Sequence, residues 1–156
     1  NKIKTIIKIK KFCKKDNRKF IISNNFKLAL KLNLDGIYIP SFNKNLNYNN
    51  YKVKKKFIII GSAHNISEIR IKELQNVDEI FISPIFKVKN SRYLGINKLK
   101  LLSKYTSKKI IALGGINKKN IMRLKQANIS GIAGIDLFQK KTPWKQGVFN
   151  ILKILN

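Results

Sequence analysis

At residues 112–116 the chain reads Ala-Leu-Gly-Gly-Ile, immediately after the apolar pair Ile110-Ile111. A continuous apolar run is typical of a strand that is buried on both faces of a parallel sheet. Gly114 and Gly115 then predict a tight turn into a helix, where backbone N–H groups approach an anion closely and the helix N-terminus adds partial positive charge. The segment therefore predicts a phosphate-binding turn after a strand; the alternative is a turn without a ligand.

Short runs of β-branched and aromatic residues alternate with helical spacings along the chain. Strands are predicted at residues 20–23, 36–39, 57–61, 79–83, 109–113 and 131–135, and helices at 3–13, 26–32, 66–74, 96–105, 121–127 and 148–155. The Ile-Lys alternation of the first helical segment also fits a strand. Alternation of strands with helices predicts βαβ units and a parallel sheet, either open and doubly wound or part of an eight-stranded barrel. No segment resembles a linker, so we expect residues 1–156 to form a single domain, with the Asn-rich segment 43–50 as a polar loop.

The chain carries 34 Lys and Arg residues against 7 Asp and Glu residues, a formal net charge of +27. A charge of this size is compatible with nucleic-acid binding. However, the lysines are scattered over nearly every segment, and no zinc-ligand spacing, helix-turn-helix signature or basic–aromatic stacking motif accompanies them, which argues against a nucleic-acid partner. The positive field instead favours small phosphorylated substrates.

The length of the apolar runs and the number of cysteines indicate the cellular compartment. No run of eighteen apolar residues exists, so we expect no membrane span. The one cysteine, Cys13, cannot form an internal disulfide, which is typical of a reducing cytoplasm. Because the chain begins with Asn1 rather than Met, we expect it to be partial at its N-terminus. The sequence predicts no particular oligomeric state.

Two further segments contain residues suited to chemistry. His64 follows a predicted strand and is a candidate acid or base at neutral pH, while Ser62 points to the same side of an extended chain. The alternative is a histidine that precedes a helix without a catalytic role, since Asn65 and Glu68 have capping-box spacing. The long basic loop 83–95 follows the next strand, and its candidate phosphate contacts are Ser83, Lys89, Ser91 and Arg92; the alternative is a solvated run of charge.

Four blocks in order carry a family resemblance: Ile-Gly-Ser-Ala-His-Asn at 60–65, then 78–86, Ile-Ala-Leu-Gly-Gly-Ile at 111–116, and Gly-Ile-Ala at 131–133. Together they resemble the thiamine-phosphate synthase and thiazole tautomerase family, and residues 20–25 and 35–38 are similar to its preceding strands. The resemblance implies a TIM (β/α)8 barrel in which residues 20–22 are the third strand. The chain is therefore expected to hold about six βα units, strands 3 to 8.

The resemblance also implies roles for individual residues. The synthases hold Mg²⁺ with two aspartates, and Asn24 and Asn43 stand at the matching positions, although neutral amides are poorer ligands for this cation. Gly114, Gly115, Gly134, Ile135 and Asp136 match the phosphate site, with Asp136 where the family has a serine.

Three functions follow as expectations from this resemblance. The first is coupling of hydroxymethylpyrimidine diphosphate with thiazole phosphate, with Mg²⁺ as the cofactor of such a synthase. The second is a metal-free thiazole tautomerase with His64 as acid and base. The third, supported mainly by the net charge of +27, is a non-catalytic barrel that binds a phosphate or a nucleic acid.

Overall fold

A computed structural model describes residues 2–89 and 91–134 of the chain. It opens with helix α1, which confirms the helical reading of that segment, and continues with strands that alternate with helices. The helices are α1 (Lys2–Lys15), α2 (Phe26–Lys31), α3 (Ile66–Leu74) and α4 (Gly95–Ser103). The strands are β1 (Ile21–Ser23), β2 (Gly36–Ile39), β3 (Ile58–Ala63), β4 (Glu79–Ile82), β5 (Lys109–Leu113) and β6 (Gly131–Ala133). The helix predicted at 148–155 lies outside the described residues.

The six strands form one parallel sheet in the order β1-β2-β3-β4-β5-β6. Each strand pairs with the next along the chain, as in the registers Ile37 with Ile59 and Ile80 with Ile110. A doubly wound sheet reverses its strand order at a switch point, whereas a barrel keeps its strands in chain order. The fold is therefore an α/β fold of six consecutive units of an incomplete (β/α) barrel. Over the described residues β1 and β6 are the two edges of this sheet.

Alternating burial along the strands separates two faces of the sheet. The side chains of Ile37, Ile39, Ile80 and Ile82 are fully buried, in the core that the helices cover. The intervening residues are only half-buried. Successive strand residues point to opposite faces, so the second set faces the interior side of the incomplete barrel.

Two connections differ from the expected helices and loops. The segment 43–50, predicted as a polar loop, contains a 3₁₀ helix at Asn47–Asn50. Tyr48 and Tyr51 stack on Phe26 with ring centroids 5.2 Å and 4.9 Å apart, so aromatic packing orders a segment whose composition is polar. After β5 the predicted helix is a 3₁₀ helix, Ile121–Gln126. In the part of the chain that the structure describes, no helix is both long enough and apolar enough to cross a membrane.

Candidate functional site

The carboxyl ends of parallel strands lie at one edge of a sheet, and the candidate residues gather at this edge. Each of the six strands contributes at least one of them within the described residues. In strand order they are Asn24, Asn43, Ser62 with His64, Ser83 with the basic loop, Gly114 with Gly115, and Gly134. Ile135 and Asp136 lie outside the described residues, so their predicted phosphate contacts stay predictions.

His64 is held from two sides between β3 and α3. Its backbone N–H donates to a Glu68 carboxylate oxygen at 2.7 Å, and its ring Nδ1 contacts the backbone oxygen of Ser83. A carbonyl oxygen can only accept, so Nδ1 carries the proton and Nε2 of the neutral ring is the acceptor. The ring is half-buried at the sheet edge. This arrangement suits an acid–base residue whose working atom is Nε2.

The predicted capping box at the start of α3 forms with one difference. The Asn65 side chain accepts the N–H of Glu68 at 2.9 Å, as predicted. The return bond from the Glu68 carboxylate takes the N–H of His64 instead of that of Asn65. The cap therefore fixes the backbone of the candidate catalytic residue as well as the helix end.

Ser62 and His64 have separate hydrogen-bond partners and do not form a pair. Ser62 is 3% exposed, and its Oγ accepts the hydroxyl proton of Tyr38 at 2.8 Å. The Tyr38 ring lies 5.9 Å from the ring of Phe81 on the next strand but one. Tyr38 was not among the site residues predicted from the sequence. The available signal was a polar aromatic residue within the otherwise apolar strand 36–39.

Asn24 and Asn43 meet at the sheet edge. Asn24 follows β1 in the left-handed region with a φ of 57°, a conformation that asparagine tolerates. The Asn43 amide nitrogen donates to the Asn24 side-chain oxygen and to the Tyr48 hydroxyl, the latter at 2.7 Å. The Asn43 side-chain oxygen accepts the N–H of Asn45 at 2.9 Å. The two positions where the resemblance implies metal-binding aspartates are thus adjacent.

This pair does not fit Mg²⁺. Both amide oxygens already accept hydrogen bonds, and neither side chain supplies the carboxylate that Mg²⁺ prefers. Residues 2–89 and 91–134 contain no group of three or more His, Cys, Asp or Glu side chains that could hold a metal ion. The donor set therefore agrees with the expectation that Asn24 and Asn43 are poor ligands for Mg²⁺.

The glycine turn allows two loops to touch. Gly114 and Gly115 have φ values of 94° and 67°, which favour glycine. A Cβ added to Gly115 would lie 2.5 Å from the backbone oxygen of Phe86 and 2.8 Å from that of Lys87. The N–H of Phe86 donates to the Gly114 carbonyl at 3.0 Å, which continues the pairing of β4 with β5 into their loops. The glycines are thus required by the close approach of the basic loop.

The structure does not place a helix N-terminus at this turn, so that part of the prediction is wrong. The 3₁₀ helix begins only at Ile121, so its positive end does not lie on Gly114 and Gly115. Asparagine side chains order the intervening turn. Asn117 accepts the N–H groups of Lys119 and Asn120, and the Asn120 side chain donates to the Gly115 carbonyl at 2.8 Å. Local bonds of this kind compete with helix formation.

The basic loop is pinned at its base and exposed at its tip. The N–H groups of Leu94 and Gly95 each donate at 2.9 Å to carbonyls at the start of the loop, those of Pro84 and Ile85. The predicted phosphate contacts Lys89, Ser91 and Arg92 are exposed. A shallow depression at the tip is lined by Lys87, Ser91, Arg92 and Tyr93.

The comparisons with known proteins agree with this fold. The family model for thiamine monophosphate synthase matches residues 1–138. The chain is 34% identical over 134 residues to the thiamine-phosphate synthase of Prochlorococcus marinus subsp. pastoris, covering 84% of this chain and 38% of that protein. It is 29% identical over 132 residues to the thiamine-phosphate synthase of Methanococcus vannielii, covering 81% of this chain and 62% of that protein. The chain thus spans less than two thirds of the length of both relatives.

A solved structure shows the same fold. The thiamine phosphate pyrophosphorylase from Pyrococcus furiosus superposes with a TM-score of 0.78 at 18% identity, and the match covers 97% of this chain and 76% of that one. The six strands in chain order, the Ser-Ala-His segment and the glycine turn all fall within the segment that the family model matches. The chain belongs to the thiamine monophosphate synthase family.

Proposed function

We propose that this chain is part of a thiamine-phosphate synthase that joins hydroxymethylpyrimidine diphosphate to thiazole phosphate. The observation that carries the proposal is the packing of the basic loop on the glycine turn, with the Lys87 backbone oxygen 2.8 Å from where a Gly115 Cβ would lie. This contact packs the backbone of the basic loop, which carries the exposed Lys87, Lys89 and Arg92, against a turn that belongs to a family acting on phosphorylated substrates. The thiazole phosphate binds at this end of the sheet edge, and the pyrimidine diphosphate binds towards Asn24 and Asn43.

The proposed reaction needs positioning and charge stabilisation. The bond between the pyrimidine methylene carbon and the diphosphate oxygen breaks, and its electron pair leaves with pyrophosphate. The thiazole nitrogen lone pair then forms the new C–N bond to that carbon. Holding both substrates at one edge makes the second step effectively intramolecular, and the net charge of +27 stabilises the departing anion. No step is assigned to Mg²⁺, because the asparagine pair does not fit it.

The test is product formation by the full-length protein from the two precursors, followed by chromatography. We expect thiamine phosphate, and Arg92→Ala together with Lys87→Ala should lower kcat/KM at least tenfold. Lys98→Ala is the matched control, since Lys98 is an exposed lysine on α4, outside the basic loop. Absence of product from the unsubstituted protein, with and without Mg²⁺, would refute the proposal.

One observation favours a second function, a thiazole tautomerase. The contact of His64 Nδ1 with the Ser83 carbonyl leaves Nε2 as the acceptor, ready to take a proton from a substrate carbon and return it elsewhere. Such an isomerisation needs no metal, so the asparagine pair does not oppose it. If the protein isomerises thiazole carboxylate phosphate, as seen by proton NMR, and His64→Gln abolishes this without loss of fold, the tautomerase replaces the synthase.

The proposal includes the setting in which the protein works. Its partner is a small phosphorylated substrate, residues 1–156 act as one domain, and the compartment is the cytoplasm. The ground for the compartment is the free cysteine Cys13, the one cysteine of the chain. A non-catalytic barrel that binds nucleic acid is the outcome if neither activity is found and single-stranded nucleic acid binds with a steep salt dependence.

A further inference from the structure

A lysine is buried behind the loop that carries Asn43. The side chain of Lys72 on α3 is 0% exposed. Its ammonium donates to the backbone oxygens of Pro40 at 2.8 Å and Asn43 at 2.9 Å, and to the Gln75 side-chain oxygen at 2.8 Å. An ammonium has three N–H groups, so these three acceptors satisfy it completely.

Gln75, one turn further along at the end of α3, completes the arrangement. It is also fully buried, and its side-chain nitrogen donates to the backbone oxygens of Asn43 at 2.9 Å and Asn45 at 3.0 Å. The Asn43 carbonyl therefore accepts from both Lys72 and Gln75. Two side chains of one helix hold residues 40–45 through four bonds to backbone oxygens.

The neighbouring strand is adapted to this lysine. A Cβ added to Gly61 of β3 would lie 2.7 Å from Cδ of Lys72, so the lysine stem crosses β3 where there is no side chain. Burial of an ammonium is costly unless it is fully hydrogen-bonded. A buried lysine at an ordinary helix position therefore does not stabilise the fold. The chain thus keeps a charged group, its acceptors and a space for its stem together behind one loop.

The same loop is held from its other side by the site itself. The Asn43 amide nitrogen donates to Asn24 and Tyr48, while its backbone oxygen is held by α3. We propose that Lys72 and Gln75 are positioning residues that fix Asn43 against Asn24 at the carboxyl edge of the sheet. This places a determinant of the site on a helix, behind the sheet, rather than on the strand ends. Its consequence for catalysis rests on the proposed synthase function.

The first test follows the loop without reference to activity. In the full-length ¹⁵N-labelled protein, the side-chain amide protons of Asn43 should exchange slowly with solvent, because both are donated. Lys72→Met keeps an unbranched apolar stem, and Gln75→Met keeps the volume. Each should speed this exchange at least tenfold relative to the backbone amides of Ile80 and Ile82, which report on the core. Lys98→Met, the exposed control, should leave all of these rates unchanged.

The second test uses kinetics to separate positioning from loss of folded protein. In Lys72→Met and Gln75→Met we expect the KM for the pyrimidine diphosphate to rise at least tenfold and that for the thiazole phosphate to change less than twofold. A merely structural role would lower the maximal rate and leave both KM values unchanged. If Lys72→Met does not fold, Gln75→Met decides both tests.

The outcomes keep the two proposals apart. Asn43 exchange within twofold of the unsubstituted protein in the folded variants would overturn the positioning role. Product formation with unchanged KM values would also overturn it while the synthase function stands. If the unsubstituted protein forms no thiamine phosphate, the synthase proposal fails, and the exchange measurement alone decides whether Lys72 and Gln75 hold the loop.

Discussion

Replacement of Gly115 by alanine tests whether the glycine turn exists to let two loops touch. Gly95 is the matched control, because its φ of 75° is close to the 67° of Gly115 while a Cβ there would meet nothing within 4 Å. Alanine at either position incurs the strain of the left-handed region, roughly 1–2 kcal/mol. The lower entropy of the unfolded chain offsets about 0.4–1 kcal/mol of this in both variants, so it cancels in the comparison.

Gly115→Ala carries an additional cost. Its Cβ would lie 2.5 Å from the Phe86 backbone oxygen and 2.7 Å from the Phe86 carbonyl carbon, so backbone must move. Overpacking of this kind costs roughly 1–3 kcal/mol. We therefore expect Gly115→Ala to lower the free energy of unfolding by about 1–3 kcal/mol more than Gly95→Ala does. Urea titration followed by circular dichroism measures both at constant m value. Equal losses in the two variants would show that contact between the two loops adds no cost.

Three further predictions follow from described contacts. Burial lowers the pKa of Lys72 from 10.5 to about 8, against an opposing effect of Glu68. As the pH rises, the folded state therefore releases this proton before the unfolded state does. The free energy of unfolding should rise between pH 8 and 10.5 by at most roughly 3 kcal/mol. Urea titrations across this range should show the rise, and Lys72→Met should lack it. Asn24→Asp combined with Asn43→Asp should create Mg²⁺ binding visible by calorimetry, and equal binding by the unsubstituted protein would contradict our account of the asparagine pair. Asn65→Ala should cost about 1 kcal/mol in thermal or urea unfolding, since α3 loses its cap; no loss would show that Glu68 alone holds this end.

The strands themselves were predictable from local sequence patterns. β2 and β5 lie at the predicted bounds, since β-branched runs ended by proline or glycine are strong local signals. The chain-order sheet needed the family resemblance, because periodicity describes single elements and not their neighbours. The position of the glycine turn was predicted correctly, but one reason why glycines are needed there was not visible in the sequence. The contact with Phe86 and Lys87 depends on tertiary packing that no local pattern contains.

The burial of α3 shows where pattern reasoning fails. The apolar residues of this helix at helical spacing are Ile66, Ile69, Ile71 and Leu74, and such spacing predicts that they form the buried face. In the structure Leu74 is 61% exposed, whereas Lys72 is fully buried. Lysine is among the residues most rarely buried, and its burial here depends on acceptors in residues 40–45, far away in sequence. Similarly, the meeting of Asn24 and Asn43 was expected only from the resemblance, and their mutual hydrogen bond was not expected at all.

The chain-order pairing of the sheet has a consequence for how the protein is made. Each described strand joins its successor, so every pairing can form as soon as the next unit leaves the ribosome. Assembly of this kind resembles that of a repeat protein, in which each unit is stabilised mainly by its immediate neighbours. Nascent chains can therefore gain structure from the N-terminal side during synthesis, before the last units exist. The growing edge strand is exposed at each stage, so this is the surface that a chaperone would need to shield.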